Sequence, residues 1–319
     1  MDINDWSQRH KQSSAALDAD QIEHRAMLDG LSNIEVGIQD ERTTGLVDDE
    51  LVDKGNSWSE RQILLENLTG SISEELERRA QLMNGAYPFS LKSGLVKYKR
   101  SKTGVYEFCL AAARNPKGIV VGTLRASSVF EFIARDILTL HFGNGTCGFR
   151  AGAPIYKFEK RGNGTKSTFE TLNQKCGEFR WNPAPGFPIE PSHKDLKDAG
   201  LDVVVWKPWP DRRQASFFAL GQCACGKNDI TVSKGRELSL KRLENWLRPI
   251  SHATPLRCFL VAHHIPNSIA LYELSGEAGI VFDRARIGLI AELSAKYYQS
   301  PEKIDFHKMA MVYANQPVV

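Results

Sequence analysis

The sequence lacks a long hydrophobic run. No window approaches about 18 consecutive apolar residues, so we expect no transmembrane helix and no membrane partner. It also lacks a basic and apolar leader, because its first residues, Met1–Asp5, are acidic and polar. No G-x-x-x-x-G-K-[ST] loop occurs, so nucleotide hydrolysis would have to come from another chain. These absences predict a cytoplasmic protein.

Cysteine is sparse and shows no paired spacing. The six cysteines are scattered over 319 residues, and in a cytoplasmic chain we expect them to be reduced thiols. The only close pair is Cys223 and Cys225. This pair either has a zinc or redox role or contributes two small buried apolar side chains, since free cysteine is commonly buried.

The remaining composition is that of an ordinary globular protein, with 42% hydrophobic and 25% charged residues. The length allows one large domain or two modest ones. The formal net charge of +3 permits nucleic-acid binding without arguing for it.

Two apolar runs in the second half each carry a polar side chain near one end. Leu201–Trp206 has Asp202 as its second residue, and Phe217–Cys225 contains Gln222. A turn-rich stretch, residues 208–213, separates the runs, which predicts two neighbouring strands. Asp202 and Gln222 would then lie close together at one end of the pair. Carboxylate and amide oxygens are hard ligands of the kind that hold Mg²⁺ for phosphodiester hydrolysis.

Polarity and periodicity divide the chain into three segments. Residues 1–57 are polar, acid-rich and poor in apolar residues. Residues 58–119 are predicted to be helical, with one helix from Trp58, another from Ser71 or Ser73, and a short strand. Residues 120–319 are predicted to form an α/β domain with a C-terminal helix. Its predicted elements, in order, are helix Ser128–Leu140, strands Phe149–Glu159, Leu201–Trp206 and Phe217–Cys225, helix Leu238–Ile250, strand Leu256–Ala262 and helix Arg284–Tyr298.

The order helix, three strands, helix, strand over residues 120–265 resembles the core of the PD-(D/E)XK nuclease superfamily, the restriction-endonuclease-like fold. In that family an Asp opens the second core strand, a Glu or Gln lies on the third, and an acid on the first helix often completes the site. Asp202, Gln222 and Glu131 match these positions. The segment Gly221–Gly226 is similar to Gln-containing variants among bacterial antiphage-defence proteins. The resemblance implies an α/β fold with this core behind a mainly helical N-terminal region.

The family pattern has a lysine where this chain has Ala224. That lysine ordinarily orients the attacking water and offsets developing negative charge. Lys227 follows the strand, and its long side chain would take the lysine's catalytic role if it reaches back. The other interpretation of Lys227 is a solvated turn lysine.

The resemblance implies a metal-dependent endonuclease that cleaves DNA within an antiphage-defence or restriction system. Mg²⁺ or Mn²⁺ would be bound by Asp202, Gln222 and Glu131. A helicase or ATPase, or another defence-system subunit, is an open alternative for a protein partner, and so is a homo-oligomer. The alternative function is a catalytically degenerate nuclease fold that binds nucleic acid or a partner protein. A third is a structural subunit whose acidic N-terminal region docks such an ATPase.

Each site residue also has a structural interpretation. Asp202 can simply begin a strand, and Gln222 can be bonded to backbone. Glu131 fits a capping box, Ser128-x-x-Glu131, at a helix start. Arg212 and Arg213, after the first apolar run, either contact phosphates near the site or are solvated.

Overall fold

The computed structural model describes the parts of the chain that the following ranges cover. They are residues 14–42, 58–114, 120–121, 124–150, 177–181, 200–226, 232–244, 247–249, 253–298 and 304–315. Among the helices in these ranges, none combines the length and hydrophobicity needed to cross a membrane.

The first helices and strands occupy the chain up to Arg114. They are α1 (Ser14–Asp29), β1 (Leu31–Asn33), α2 (Ile34–Arg42), α3 (Trp58–Met83), β2 (Phe89–Lys92), β3 (Leu95–Tyr98) and α4 (Val105–Arg114). The elements from there to the second apolar run are β4 (Val120–Val121), β5 (Leu124–Arg125), α5 (Ala126–His141), β6 (Cys147–Arg150), β7 (Phe179–Trp181), β8 (Val203–Lys207) and β9 (Phe217–Ala224). The last are α6 (Val232–Gly235), α7 (Leu240–Leu243), β10 (Leu247–Pro249), β11 (Leu256–Val261), α8 (Ser268–Ala278), β12 (Ile280–Phe282), α9 (Arg284–Leu293) and α10 (Phe306–Ala314).

The chain divides into two compact units. Unit 1 comprises Met1–Val121, His263–Ala270 and Asp283–Val319, and unit 2 comprises Gly122–Ala262 and Leu271–Phe282. The segments 1–57, 58–119 and 120–319 expected from the sequence differ from these units at the C-terminal end. Residues 283–319 group with the N-terminal helices because α9 and α10 both pack against α4.

Unit 1 combines helices with a small antiparallel sheet of order β1-β3-β2. The β2–β3 hairpin turns at Ser93 and Gly94, which both have positive φ values, of 49° and 74°. Two central residues of that conformation give the turn whose twist suits an antiparallel pair. Residues 105–113 of α4 are buried throughout, because small alanines and apolar side chains cover all of its faces.

A buried ion cluster lies inside unit 1. Arg79 donates to the carboxylates of Asp20 and Glu23 at 2.7 Å each, and Arg284 also donates to Asp20. Arg79, Arg284 and Glu23 are at most 1% exposed. Burial alone would raise the pKa of Asp20, but the guanidinium groups of Arg284 and Arg79 hold it well below its usual range. Paired charges therefore occupy part of this interior.

Unit 2 is built on a five-stranded mixed sheet of order β12-β11-β9-β8-β6. Strand β8 is antiparallel to both β6 and β9, whereas β9, β11 and β12 run parallel. Helix α5 packs on one face against β6, β8 and β9. On the other face, one apolar cluster consists of Phe179, Leu201, Val204, Trp206, Phe218, Leu220, Leu238 and Leu243. Both faces of the β8–β9 pair are thus buried.

The α/β prediction is confirmed, and two helix predictions are wrong. Helix α3 runs unbroken through Ser71 and Ser73, whose hydroxyls donate to the carbonyls of Asn67 and Thr69 within the helix. The predicted helix Leu238–Ile250 is reduced to the short α7, and its last part forms β10, which pairs with β7. Of the predicted strand Phe149–Glu159, residues 151–159 lie outside the described ranges.

Candidate functional site

Asp202 and Gln222 lie at the same end of the β8–β9 pair. Val203 is the cross-strand partner of Gly221, and this is the last regular pair of β8 and β9 at this end. The Asp202 amide donates at 2.9 Å to the carbonyl of Gly221, the residue that Val203 already faces. The regular pairing therefore ends here, with two residues of one strand beside one residue of the other, as in a β-bulge. The turn before it uses Gly200, with φ of 77° and no room for a Cβ beside Glu237 and Leu238. A glycine is required there, and it aims the chain into β8.

The Gln222 side chain is 2% exposed, and its amide is engaged on the apolar-cluster side of the sheet. Its Oε1 accepts the Leu238 amide at 3.2 Å, and its Nε2 donates to Glu237 Oε2 at 3.1 Å. By strand alternation it shares this face with Leu220, while Cys223 faces the other way. In this arrangement Gln222 ties the segment before α7 to β9.

A second group of polar side chains surrounds Cys223. Burial raises the pKa of the Cys223 thiol well above its usual value, and the carboxylates of Asp202 and Glu131 raise it further. Both acids therefore lie close to this thiol. Asp202 Oδ2 also accepts the Cys223 amide at 2.7 Å, a contact that fixes the orientation of its carboxylate.

Glu131 is presented by α5, and it does not cap that helix. The N-cap is Arg125, without a side-chain cap, so the helix begins before Ser128 and the capping-box interpretation is wrong. Glu131 Oε2 instead accepts from Arg150 Nη1 at 2.9 Å. An acid on the second turn of α5 is thus held at the end of the sheet.

Arg150 is a functional candidate that the sequence analysis missed. It ends β6 as the cross-strand partner of Val203, one residue from Asp202. Its guanidinium lies over the Phe132 ring, 4.7 Å from the centroid, and its side chain is 31% exposed. In the sequence, Arg150 simply follows the apolar Phe149. This local pattern does not show with which strand Arg150 pairs. Two acids and one cation therefore meet at this end of unit 2.

This donor set can be tested against the expected metal. Among the described residues, no group of three His, Cys, Asp or Glu side chains is arranged to hold a metal ion. However, Mg²⁺ is commonly held by one or two carboxylates together with water and substrate phosphate. Asp202 and Glu131 fit that requirement by their chemistry. The ligand role of Gln222 stays a prediction, and because its Oε1 already accepts the Leu238 amide, only the second lone pair of that oxygen is left for a cation.

The remaining predicted residues have different outcomes. Ala224 is 2% exposed within β9, and Lys227 lies outside the described ranges, so its catalytic role stays a prediction. Arg212 and Arg213 follow the far end of β8, away from Asp202, so their expected place near the site is corrected. Cys225 is a buried free thiol and Cys223 is half-buried.

Comparison of the chain with protein-family models, with curated proteins and with solved structures found no match.

Proposed function

We propose that unit 2 is a Mg²⁺- or Mn²⁺-dependent endonuclease that hydrolyses DNA phosphodiester bonds in a bacterial antiphage-defence or restriction system. The observation that carries the proposal is the meeting of Asp202, Glu131 and Arg150 at one end of the β8–β9 pair. The sequence order α5, β6, β8, β9, short helices and β11 supports it, because the resemblance implies helix, three strands, helix and strand.

The chain's own residues have separate roles in this reaction. Asp202 and Glu131 would hold the divalent cation, which when bound polarises the scissile phosphate and a water molecule. The Cys223 amide keeps the Asp202 carboxylate oriented, and Gln222 holds residues 237–238 against the strand. Arg150 supplies positive charge for the phosphate, which the resemblance otherwise assigns to a lysine at position 224.

The proposal is tested by plasmid nicking with Mg²⁺, Mn²⁺ or EDTA. We expect Asp202→Asn to abolish metal-dependent nicking, because it removes a charge from the cation site while its amide oxygen still accepts the Cys223 amide. The matched control is Asp29→Asn, at an exposed aspartate at the end of α1 in unit 1. Undiminished nicking by a purified, folded Asp202→Asn protein would remove Asp202 from the site.

A second candidate function is a nuclease fold that binds nucleic acid or a partner protein without cutting. Two observations favour it: the nitrogen and the oxygen of the Gln222 amide each have a partner inside unit 2, and Ala224 stands where the resemblance implies a lysine. A parent protein that binds DNA and never nicks it, with either metal and with its partner subunits present, would support this function. A helicase or ATPase, if one takes part, would be a separate chain.

A further inference from the structure

The loop that joins β8 to β9, residues 208–216 (the β8–β9 loop), exposes a tryptophan. Trp209 has 57% of its surface exposed, although large aromatic side chains are usually buried. Its indole Nε1 donates to the Ala215 carbonyl at 2.9 Å, so the ring is held in one orientation across the loop. An exposed ring that is already fixed loses little conformational freedom when a partner stacks on it.

The backbone of the loop is held in an unusual shape. Arg212 and Ala215 both have positive φ values, of 58° and 75°, which residues other than glycine rarely adopt. The Glu178 carboxylate, only 2% exposed, accepts the amides of Ala215 at 2.9 Å and Ser216 at 2.8 Å. A buried acid from the segment before β7 therefore maintains the strained end of the loop. Strain that the surroundings maintain in this way occurs often at binding sites.

The loop and the adjoining end of β8 together carry excess positive charge. Lys207, at the end of β8, Arg212 and Arg213 give three cations against the single acid Asp211, and all four side chains are exposed. Arg213 pairs with Asp211 at 2.6 Å and remains 85% exposed. An aromatic face beside cations matches the chemistry of a nucleic-acid strand, whose bases stack and whose phosphates are negative.

We propose that the β8–β9 loop binds single-stranded DNA, with an unpaired base stacked on Trp209 and the backbone phosphates contacted by Arg212. The choice of DNA as the polyanion rests on the proposed nuclease function. A single strand is favoured over a duplex because only an unstacked base offers its face to the indole. The five residues of β8 separate the loop from Asp202. At 3.3 Å per residue, this distance is roughly 17 Å. Its binding is therefore separable from the metal site.

The test measures fluorescence anisotropy of labelled oligothymidylate and of a duplex with the full chain in EDTA. We expect Trp209→Ala to weaken single-strand binding about 5- to 150-fold, the range for loss of one stacked base. Trp209→Phe should recover most of it, because phenylalanine keeps a stacking face. The matched control is Tyr272→Ala, at another exposed aromatic of unit 2, which is 79% exposed.

A second variant tests the phosphate contact. Arg212→Gly removes the charge while glycine keeps the positive φ, so the salt slope of single-strand binding should fall by about 0.7. Its control is Arg236→Gly, at an exposed arginine paired with Glu277. Unchanged affinity of Trp209→Ala, or equal losses on single strand and duplex, would overturn the loop proposal. If the parent protein binds the single strand but never nicks plasmid DNA, the proposed nuclease function is wrong. The proposal that the β8–β9 loop binds single-stranded DNA would still be supported.

Discussion

Arg150 brings a guanidinium to the end of the sheet where the lysine of the family pattern is absent. Its ion pair with Glu131 and its contact with Phe132 hold it beside the two acids. Arginine presents a fixed fork of donors, a geometry that matches phosphate oxygens. In a hydrolytic site it would offset the negative charge that develops on the scissile phosphate.

We expect Arg150→Gln to lower the rate of metal-dependent cleavage about 10²–10³-fold, the usual cost of losing one transition-state donor. DNA affinity should change much less, because one phosphate contact is a small part of binding. The measurement is single-turnover cleavage together with equilibrium binding. Arg135→Gln is the control, because Arg135 lies over the same Phe132 ring but pairs with Asp136. Equal rates for parent and Arg150→Gln would leave Lys227 as the candidate cation.

The residues of the site were predictable to different degrees. Asp202 and Gln222 could be placed at the same end of the strand pair because each apolar run carries its polar residue near one end. Their orientations could not be predicted, because the Gln222 partners, Glu237 and Leu238, come from a segment expected to be helical. Arg150 was missed because cross-strand register depends on tertiary pairing and not on local pattern.

At the scale of elements, the junction between α8 and β12 depends on one glycine. Gly279 has a φ of 87°, and a Cβ there would lie 2.3 Å from the Arg257 carbonyl oxygen. This close approach lets β12 turn back and pair with β11 immediately after the helix. The edge of the five-stranded sheet is therefore sensitive to this position.

We expect Gly279→Ala to lower the free energy of unfolding by at least about 2 kcal/mol, because it adds left-handed strain and a backbone clash. Gly276→Ala is the matched control within α8, since a Cβ at that site meets nothing within 4 Å. The free energy of unfolding of that variant should rise by about 0.5–1 kcal/mol, because alanine has a higher helix propensity than glycine. Urea unfolding of both variants gives the comparison, and a loss of similar size in both would contradict the argument.

Element predictions succeeded where apolar periodicity was strong and local. The stripe of Val129, Phe130, Ile133 and Ile137 gave α5 to within two residues, and the two apolar runs gave β8 and β9. The expected helix Leu238–Ile250 has the same kind of stripe, but residues 247–249 pair with β7 instead, a tertiary contact that overrides propensity. Helix α1 was not anticipated because its buried face combines alanines with Glu23 and His24, which a hydrophobic pattern does not register.

At the scale of the whole molecule, unit 1 should be sensitive to mild acid. Burial lowers the pKa of His24 to about 4, and the neighbouring Arg114 guanidinium lowers it as well. The unfolded chain takes up this proton near its ordinary pKa of 6.5, whereas the folded chain does not until about pH 4. The stabilisation is therefore complete above pH 6.5 and is lost as the pH falls towards 4.

Protonation of His24 alone lowers the free energy of unfolding by about 3 kcal/mol over this pH interval. His24→Gln should make the unfolding free energy depend less on pH over this interval. This holds whether or not the variant is less stable than the parent at neutral pH. Urea unfolding at a series of pH values measures this slope. His141→Gln, at an exposed histidine, serves as the control, and an unchanged slope in His24→Gln would contradict the assignment.

The ion cluster of unit 1 joins parts of the chain that are synthesised far apart in time. Asp20 and Arg284 are separated by 264 residues. At 5–20 residues per second, Asp20 is added to the chain roughly 10–50 s before Arg284. Unit 2 needs no residue beyond Phe282, so all of it has been translated before Arg284. The part of the protein that is made first is therefore the part whose interior is completed last.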